Sequence, residues 1–355
     1  MEAIKSTNKT SVLVHIAAFV IVVAGIMYAN TLVTSLLMAL FISIIVSQPI
    51  LWLQKKKVPQ GVSILLVFLL TVGFMLVFGG IIANSFTSFS ENTPVYEENL
   101  NELSKNASIF LQNLGIDASL DNLNHIANPT KIMSFTAEAL GEFGSLMGNS
   151  LTIFFLTLFL LLELDSISIK VKAIFNGPAD SLMYLIGIVH SIRHYLSIKT
   201  ATSLLTGVII WIALSILGLD YAIIWAIIAF LLNYIPNIGS IIAAVPAVLF
   251  SLIQLGVGGL LWTALIFVVA NMIIGNVVEP KMMGKGLGLS TFIVFLSLLF
   301  WGFMLGTVGM FLSVPLTMTI KIIMEQRDST KWFAIVLGTQ EEAQAIIEND
   351  TLEAN

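Results

Sequence analysis

Residues 221–278 read YAIIWAIIAFLLNYIPNIGSIIAAVPAVLFSLIQLGVGGLLWTALIFVVANMIIGNVV, a run of 58 residues without Asp, Glu, Lys or Arg. A transmembrane helix needs ~20 apolar residues, so a run of this length indicates a segment that lies in a lipid bilayer. The run is interrupted midway, between Asn233 and Gly239, by NYIPNIG. A Pro/Gly break at membrane depth is tolerated only where the opened backbone faces protein or a wet cavity. Because such breaks form the solute sites of many transporters, the stretch predicts solute movement across a membrane.

The composition limits the classes of function. Hydrophobic residues make up 57% of the 355-residue chain and charged residues 10%, against ~25% charge in soluble domains. There is no cysteine, which excludes a disulfide framework, thiol catalysis and Cys-based metal sites. No catalytic or nucleotide-binding motif is present. We therefore expect an all-α membrane protein that is not an enzyme, with no cofactor, no metal and no nucleic-acid partner.

Eight apolar runs predict about seven or eight transmembrane elements. They are residues 12–29, 31–53, 62–83, 151–164, 201–219, 221–253, 260–278 and 289–320. Lys and Arg concentrate in cytoplasmic loops, and 14 of the 16 basic residues fall in segments that can share one side. This pattern places both termini in the cytoplasm.

The runs also predict a division of the chain. We expect an N-terminal three-span bundle (1–83), a small external acidic helical cap (84–149), a transport core (150–325) and a cytoplasmic tail (326–355). The runs 221–253 and 289–320 must each return to their starting side, so each is predicted to form a Pro/Gly-broken helical hairpin.

The two predicted hairpins turn at residues 236–239 and 302–309. A proline follows each turn, Pro246 and Pro315, which indicates either a duplicated element or a chance match. Two broken segments of this kind are expected to meet around one solute site.

Polar residues at the first break and on the following span are candidates for solute contact, because polar groups at membrane depth are costly unless partnered. They are Asn233, Tyr234, Pro236, Asn237, Gly239, Ser240, Asn271 and Asn276. The alternative is structural: the amides at the break satisfy freed backbone groups, and Asn271 joins two helices.

Two carboxylates at the ends of spans are candidates for coupling to an ion, Glu279 and Asp220. Glu279 could take up a proton or cation during transport, or it could pair with Lys281 or Lys285 as an anchor. Asp220 could simply be solvated.

Three stretches together resemble the autoinducer-2 exporter superfamily of bacterial inner-membrane permeases. They are IPNIGS at 235–240, NVVEPKMMGKGLGLS at 276–290 and GTVGMFLSVPL at 306–316. The family pattern has the same Ile-Pro, Glu-Pro and Gly-x-x-Gly elements in the same order, over most of residues 10–325. Ser240 stands where the family often has proline.

The resemblance implies a homo-oligomeric permease, with a pentamer suggested, whose mobile transport domain exports a small polar solute such as autoinducer-2 by alternating access. We expect a lipid bilayer, a small-molecule substrate and a coupling ion as its partners. The residues predicted to act as hinges are Gly284, Gly286, Gly288, Gly302, Gly306, Gly309 and Pro315. Two other functions stay open: a sodium (lithium)/proton antiporter, as some relatives look to be, and a non-transporting membrane scaffold.

Overall fold

The structure is a computed structural model, which describes residues 9–113, 150–174, 179–236, 238–283, 288–326 and 328–353. Every regular element within these ranges is a helix, which confirms the predicted all-α class. Residues 114–149 of the predicted cap, together with Asn237, Gly284 and Gly286, lie outside the described residues.

The described residues form the following helices, given in chain order. They are α1 (Lys9–Tyr28), α2 (Asn30–Lys55), α3 (Gln60–Asn113), α4 (Ser150–Ile174), α5 (Ala179–Leu217), α6 (Ala222–Leu232), α7 (Ile238–Ile273), a π-helical turn (Ile274–Val278), α8 (Glu279–Met283), α9 (Thr291–Glu325), α10 (Asp328–Leu337) and α11 (Gln340–Glu353).

Among the described residues, five helices are long and apolar enough to cross a membrane, and three shorter apolar helices accompany them. The five long segments are Asn30–Lys55, Gln60–Asn106, Gly187–Leu217, Ile238–Met283 and Thr291–Glu325. This confirms the prediction of a polytopic membrane protein, since every predicted apolar run coincides with a helix or a pair of helical arms.

Helix α3 is much longer than the apolar run that begins it. The run ends at residue 83, whereas the helix continues to Asn113 and has Pro94 in its interior. At 1.5 Å per residue, the further 30 residues extend the helix by about 45 Å. The predicted boundary between bundle and cap therefore lies inside one continuous helix, and the position of the cap outside the membrane stays a prediction.

The chain divides into two compact units. One consists of Ile44–Leu287, and the other combines Met1–Ser43 with Gly288–Asn355. We call them the central unit and the terminal unit. The predicted four-part division is a different partition of the chain, and it stays a prediction.

Two long helices are each folded back at a glycine. In α7 the helix is interrupted at Gly256, with φ 70° and ψ −164°, and in α9 at Gly306, with φ 65° and ψ −147°. A φ in this range is costly for residues other than glycine. We name the arms on the two sides α7a (238–255) and α7b (257–273), and α9a (291–305) and α9b (307–325).

Side-chain contacts show that the arms run antiparallel. Across the α7 reversal, Thr263 Oγ1 donates to Ser251 Oγ at 2.9 Å. Across the α9 reversal, Trp301 Nε1 donates to Thr317 Oγ1 at 3.0 Å. In the central unit, α6 and α7a form the first broken hairpin. In the terminal unit, α9a and α9b form the second, with its reversal inside the predicted range 302–309.

An aromatic cluster fixes the extended part of α3 against the open end of the first hairpin. Trp225 and Phe250 are fully buried, and their ring centroids are 5.5 Å apart. Tyr96 meets Phe250 edge-on at 5.1 Å, and Phe89 lies 6.0 Å from the same ring. Aromatic pairs at these distances add ~0.5–1.5 kcal/mol each beyond area burial, so this end of the hairpin is held firmly.

Candidate functional site

The tip of the first hairpin is held on helix α5 by two side-chain hydrogen bonds. Asn233 Nδ2 donates to Ser203 Oγ at 3.0 Å, and Tyr234 OH donates to Thr200 Oγ1 at 2.8 Å. Asn233 is 8% exposed and Tyr234 6%. Because both polar groups already have partners within the protein, these two predicted solute ligands have an internal role in this conformation.

A close backbone approach sets the sharpness of the turn. A Cβ built on Gly239 would lie 1.8 Å from the carbonyl oxygen of Leu232, so no larger residue fits between the two arms. Pro236 accepts a backbone hydrogen bond from Ile238 at 2.6 Å. Both residues therefore shape the turn.

Two of the predicted solute residues come together on the other side of the hairpin. Ser240, at the start of α7a, and Asn271, near the end of α7b, both line a groove of about 250 Å³ between the two arms. The rest of the lining is apolar, and includes Ala244 and Phe267. The groove thus has two polar side chains at one end of an apolar cleft, an arrangement typical of small-molecule sites.

A buried ion pair lies beside the hairpin tip. Lys199 Nζ donates to both carboxylate oxygens of Glu279, at 2.7 and 2.9 Å. Their side chains are 5% and 16% exposed. The partner of Glu279 is thus a lysine 80 positions away on α5; of the two lysines considered from the sequence as its anchor, Lys285 lies outside the described residues.

Lys199 was not singled out as a site residue from the sequence, where it counted only among the basic residues assigned to the cytoplasmic side. One feature of the sequence could have pointed to this role: Lys199 lies directly before the apolar run 201–219, and Glu279 directly after the apolar run 260–278. Nothing in the spacing, however, shows which charges at the edges of spans face each other.

The segment that leads to Glu279 is π-helical. Residues Ile274–Val278 form the π-helical turn, and the amide of Glu279 donates to the carbonyl of Ile274. Single π-helical turns inside α-helices are frequent at functional sites. Asn276 lies in this turn and is exposed; it is not part of the groove lining.

Asp220 follows the C-terminal end of α5, whereas Lys199 lies in the middle of this helix. Its carboxylate accepts a hydrogen bond from Tyr96 OH at 3.1 Å, and its amide donates to Gln254 Oε1 at 2.8 Å. From Lys199 to Leu217, where α5 ends, the helix rises about 27 Å. The structure therefore does not bring the two predicted coupling residues, Asp220 and Glu279, together.

The remaining predicted hinge residues belong to the terminal unit. A Cβ on Gly309 would lie 1.9 Å from the carbonyl oxygen of Trp301, and one on Gly302 would lie 3.0 Å from Met310. Pro315 is buried inside α9b. Gly302 and Gly309 therefore sit at tight packing points, and Gly306 makes the reversal itself.

Metal ligation is not indicated in the part of the chain that the structure describes. No group of three or more His, Asp or Glu side chains there could hold a metal ion.

Comparison with known sequences identifies the family. The sequence profile of the AI-2E family transporters matches residues 16–328, which include both hairpins, the π-helical turn and the Lys199–Glu279 pair. The chain belongs to the AI-2E transporter family. It is therefore a membrane transport protein by family, as the resemblance in the three stretches predicts.

Relatives match along nearly their whole length. A protein of Haemophilus influenzae, named "Putative transport protein", is 39% identical over 343 residues, 94% of this chain and 98% of the relative. "Putative transport protein YhhT" of Escherichia coli K12 is 36% identical over 327 residues, 92% of this chain and 94% of the relative. "AI-2 transport protein TqsA" of the same strain is 32% identical over 331 residues, 93% of this chain and 96% of the relative.

Proposed function

We propose that this AI-2E family transporter exports a small polar solute of the autoinducer-2 class across the bacterial inner membrane by alternating access. Both termini are then cytoplasmic, and the chain works as a homo-oligomer without catalysing a chemical reaction. The solute class is supported by the relative TqsA, named an AI-2 transport protein and 32% identical to this chain.

The groove between α7a and α7b is the observation that carries the proposal. Its volume of about 250 Å³ lies just below the ~300–1,000 Å³ of sites for drug-sized ligands, which suits a small solute. Ser240 and Asn271 supply hydroxyl and amide groups at one end, next to the broken tip. A polyhydroxylated solute could exchange hydrogen bonds with them while its carbon skeleton contacts the apolar wall.

Alternating access is supported by the arrangement around the tip. Asn233 and Tyr234 hydrogen-bond the tip of the first hairpin to α5, and the Lys199–Glu279 pair joins the start of α8 to the same helix. Discontinuous helices next to a polar site are the usual moving parts of secondary transporters.

Counterflow in liposomes tests the solute site. Purified protein is reconstituted with unlabelled autoinducer-2 inside, and exchange of labelled autoinducer-2 is measured. Ser240→Ala and Asn271→Ala each remove one neutral hydrogen-bonding group, so each is expected to raise the half-saturating concentration by roughly 2- to 10-fold. The matched controls are Ser197→Ala and Asn101→Ala, since both residues are exposed outside the groove. Unchanged half-saturation in both groove variants would refute the assignment of the site.

A sodium (lithium)/proton antiporter is the second candidate, and the buried Lys199–Glu279 pair favours it. A carboxylate in a low-dielectric position can exchange one cationic partner for another. In everted vesicles, addition of Na⁺ or Li⁺ would then dissipate a pH gradient with wild-type protein and fail to do so with Glu279→Gln. If Na⁺ and Li⁺ leave the gradient unchanged with wild-type protein while autoinducer-2 exchanges, the antiporter is rejected and the solute permease stands.

A further inference from the structure

Lys321 ties three segments of the terminal unit together. This lysine lies on α9b, and its ammonium donates to the carbonyl oxygen of Gly288 and to Glu342 Oε2, both at 2.5 Å. Glu325, on the same helix, lies 3.4 Å away. Gly288 stands just before the second hairpin, and Glu342 is on α11 of the tail. One buried cation thus joins the entry of the hairpin, its second arm and the C-terminal helix.

The contact is tight at the entry of the hairpin. Gly288 has φ 65°, and a Cβ there would lie 2.9 Å from Glu342 Oε1 and 3.0 Å from Lys321 Nζ. Two residues later, the amide of Ser290 donates to the carbonyl oxygen of Leu337 at 3.1 Å. The tail therefore binds the backbone on which Gly288, a predicted hinge, would have to rotate.

The tail also covers apolar surface. Ala334 and Leu337, on α10, are 1% and 7% exposed. Ala334 lines a cavity of about 400 Å³ together with Lys321 and Glu342. The family match ends at residue 328, where α10 begins.

The two members of the ion pair differ in their access to water. The side chain of Lys321 is 7% exposed and that of Glu342 46%. When the pair opens, Glu342 can be hydrated, while Lys321 keeps the nearby carboxylate of Glu325. Opening therefore leaves no isolated buried charge, which makes the contact reversible.

We propose that α10 and α11 form a C-terminal latch, in which Glu342 on Lys321 restrains the Gly288 hinge, and that release of the latch accelerates transport. The link to transport rests on the proposed function. The restraint of the hinge does not, so the two can be tested separately.

Single-cysteine labelling measures the opening of the latch. The chain has no cysteine, so Ala334→Cys can be added as a reporter. Ala334 is 1% exposed and lines the cavity shared with Lys321 and Glu342, so its reaction with a maleimide is expected to accelerate when the tail moves away. Val336→Cys, at a position that is 59% exposed, is the reference for a cysteine that reacts with the maleimide whether the latch is open or closed. Glu342→Gln is expected to raise the labelling rate at 334 by about tenfold, the effect of losing one charge-assisted hydrogen bond in a half-exposed pair. Glu341→Gln, at the exposed neighbouring carboxylate, is the matched control and should leave it unchanged.

Hydrogen exchange and counterflow complete the test in the full-length protein. Glu342→Gln should accelerate amide exchange at Ser290 and the first turn of α9a, and should raise the initial rate of autoinducer-2 counterflow several-fold. Faster labelling with unchanged exchange at Ser290 would overturn the restraint of the hinge. Faster exchange with unchanged or slower counterflow would overturn the inhibitory role. A wild-type protein that moves no autoinducer-2 would refute the proposed function, and the labelling and exchange results would still decide whether the latch restrains the hinge.

Discussion

Glu279→Gln removes the charge that compensates Lys199 beside the hairpin tip. The lysine side chain is 5% exposed, and both of its hydrogen bonds to the carboxylate are shorter than 3.0 Å. Breaking a buried pair by neutralising one partner costs about 3–5 kcal/mol, because an uncompensated charge remains. With an unfolding entropy of roughly 2.1 cal/mol/K per residue, a chain of 355 residues should unfold about 4–7 °C lower.

The double variant Lys199→Met/Glu279→Leu separates this mechanism from a simple loss of contacts. Replacement of both charges by apolar side chains of similar size is often neutral or stabilising. The thermal midpoint of the double variant in detergent should therefore return to within about 2 °C of wild type, less than the loss expected from either unpaired charge.

Thermal unfolding followed by intrinsic tryptophan fluorescence measures both effects, and Glu163→Gln is a suitable control. Glu163 pairs with Lys170 at 2.5 Å, but their side chains are 47% and 65% exposed, and exposed pairs contribute ~0–1 kcal/mol. If Glu279→Gln shifted the midpoint no more than Glu163→Gln does, the ion pair would not be buried as the structure has it. That result would refute the reasoning.

Two further substitutions test the turn and the contact between α3 and Asp220. Gly239→Ala should lower the free energy of unfolding by about 3 kcal/mol or more, the top of the range for overpacking, because the added methyl group would overlap a backbone carbonyl. The control is Gly258→Ala, where nothing lies within 4 Å of the added methyl group, and stability should change by less than about 1 kcal/mol. The thermal midpoints of the two variants measure the difference. Tyr96→Phe removes the hydroxyl that donates to Asp220 and should lower stability by about 0.5–1.5 kcal/mol. The extended part of α3 should then be cleaved faster by a protease. Unchanged proteolysis would show that the aromatic cluster alone holds this helix.

The chain's turns were predictable because they depend on local sequence. A Pro/Gly break in a charge-free run can only be a reversal that faces protein or water, and the turn before Gly239 is where that reasoning puts it. The reversal at Gly306 falls within its predicted range for the same reason. Such signals require no knowledge of which helices are neighbours.

The partners at the candidate site were not predictable in the same way. For Asn233 and Tyr234 the sequence left a solute role and a structural role open, and their contacts with α5 could not be predicted, since the rotation of a helix about its axis depends on its neighbours. Lys199 and Glu279 lie 80 positions apart. Many charged residues lie at the edges of spans, and the sequence does not show which of them contact each other. These contacts depend on how distant helices are aligned along one another, and the spacing of residues in the sequence does not reveal that alignment.

Glycine, more than apolarity, sets the geometry of the reversals in this transporter. A Cβ would lie 1.8 Å from a backbone oxygen at Gly239, 1.9 Å at Gly309, and 2.2 Å from a side-chain carbon at Gly259. Lipid tails are as apolar as leucine, so helices in a bilayer gain little from apolar burial and associate through close packing at small residues. The similarity in sequence between the two hairpins thus has a physical basis that requires no duplication, because each hairpin needs a residue without a side chain where its arms meet. Exposed apolar residues, such as Ile241 and Val257, could be exchanged for one another along these arms with little effect, whereas the glycines at the crossings could not.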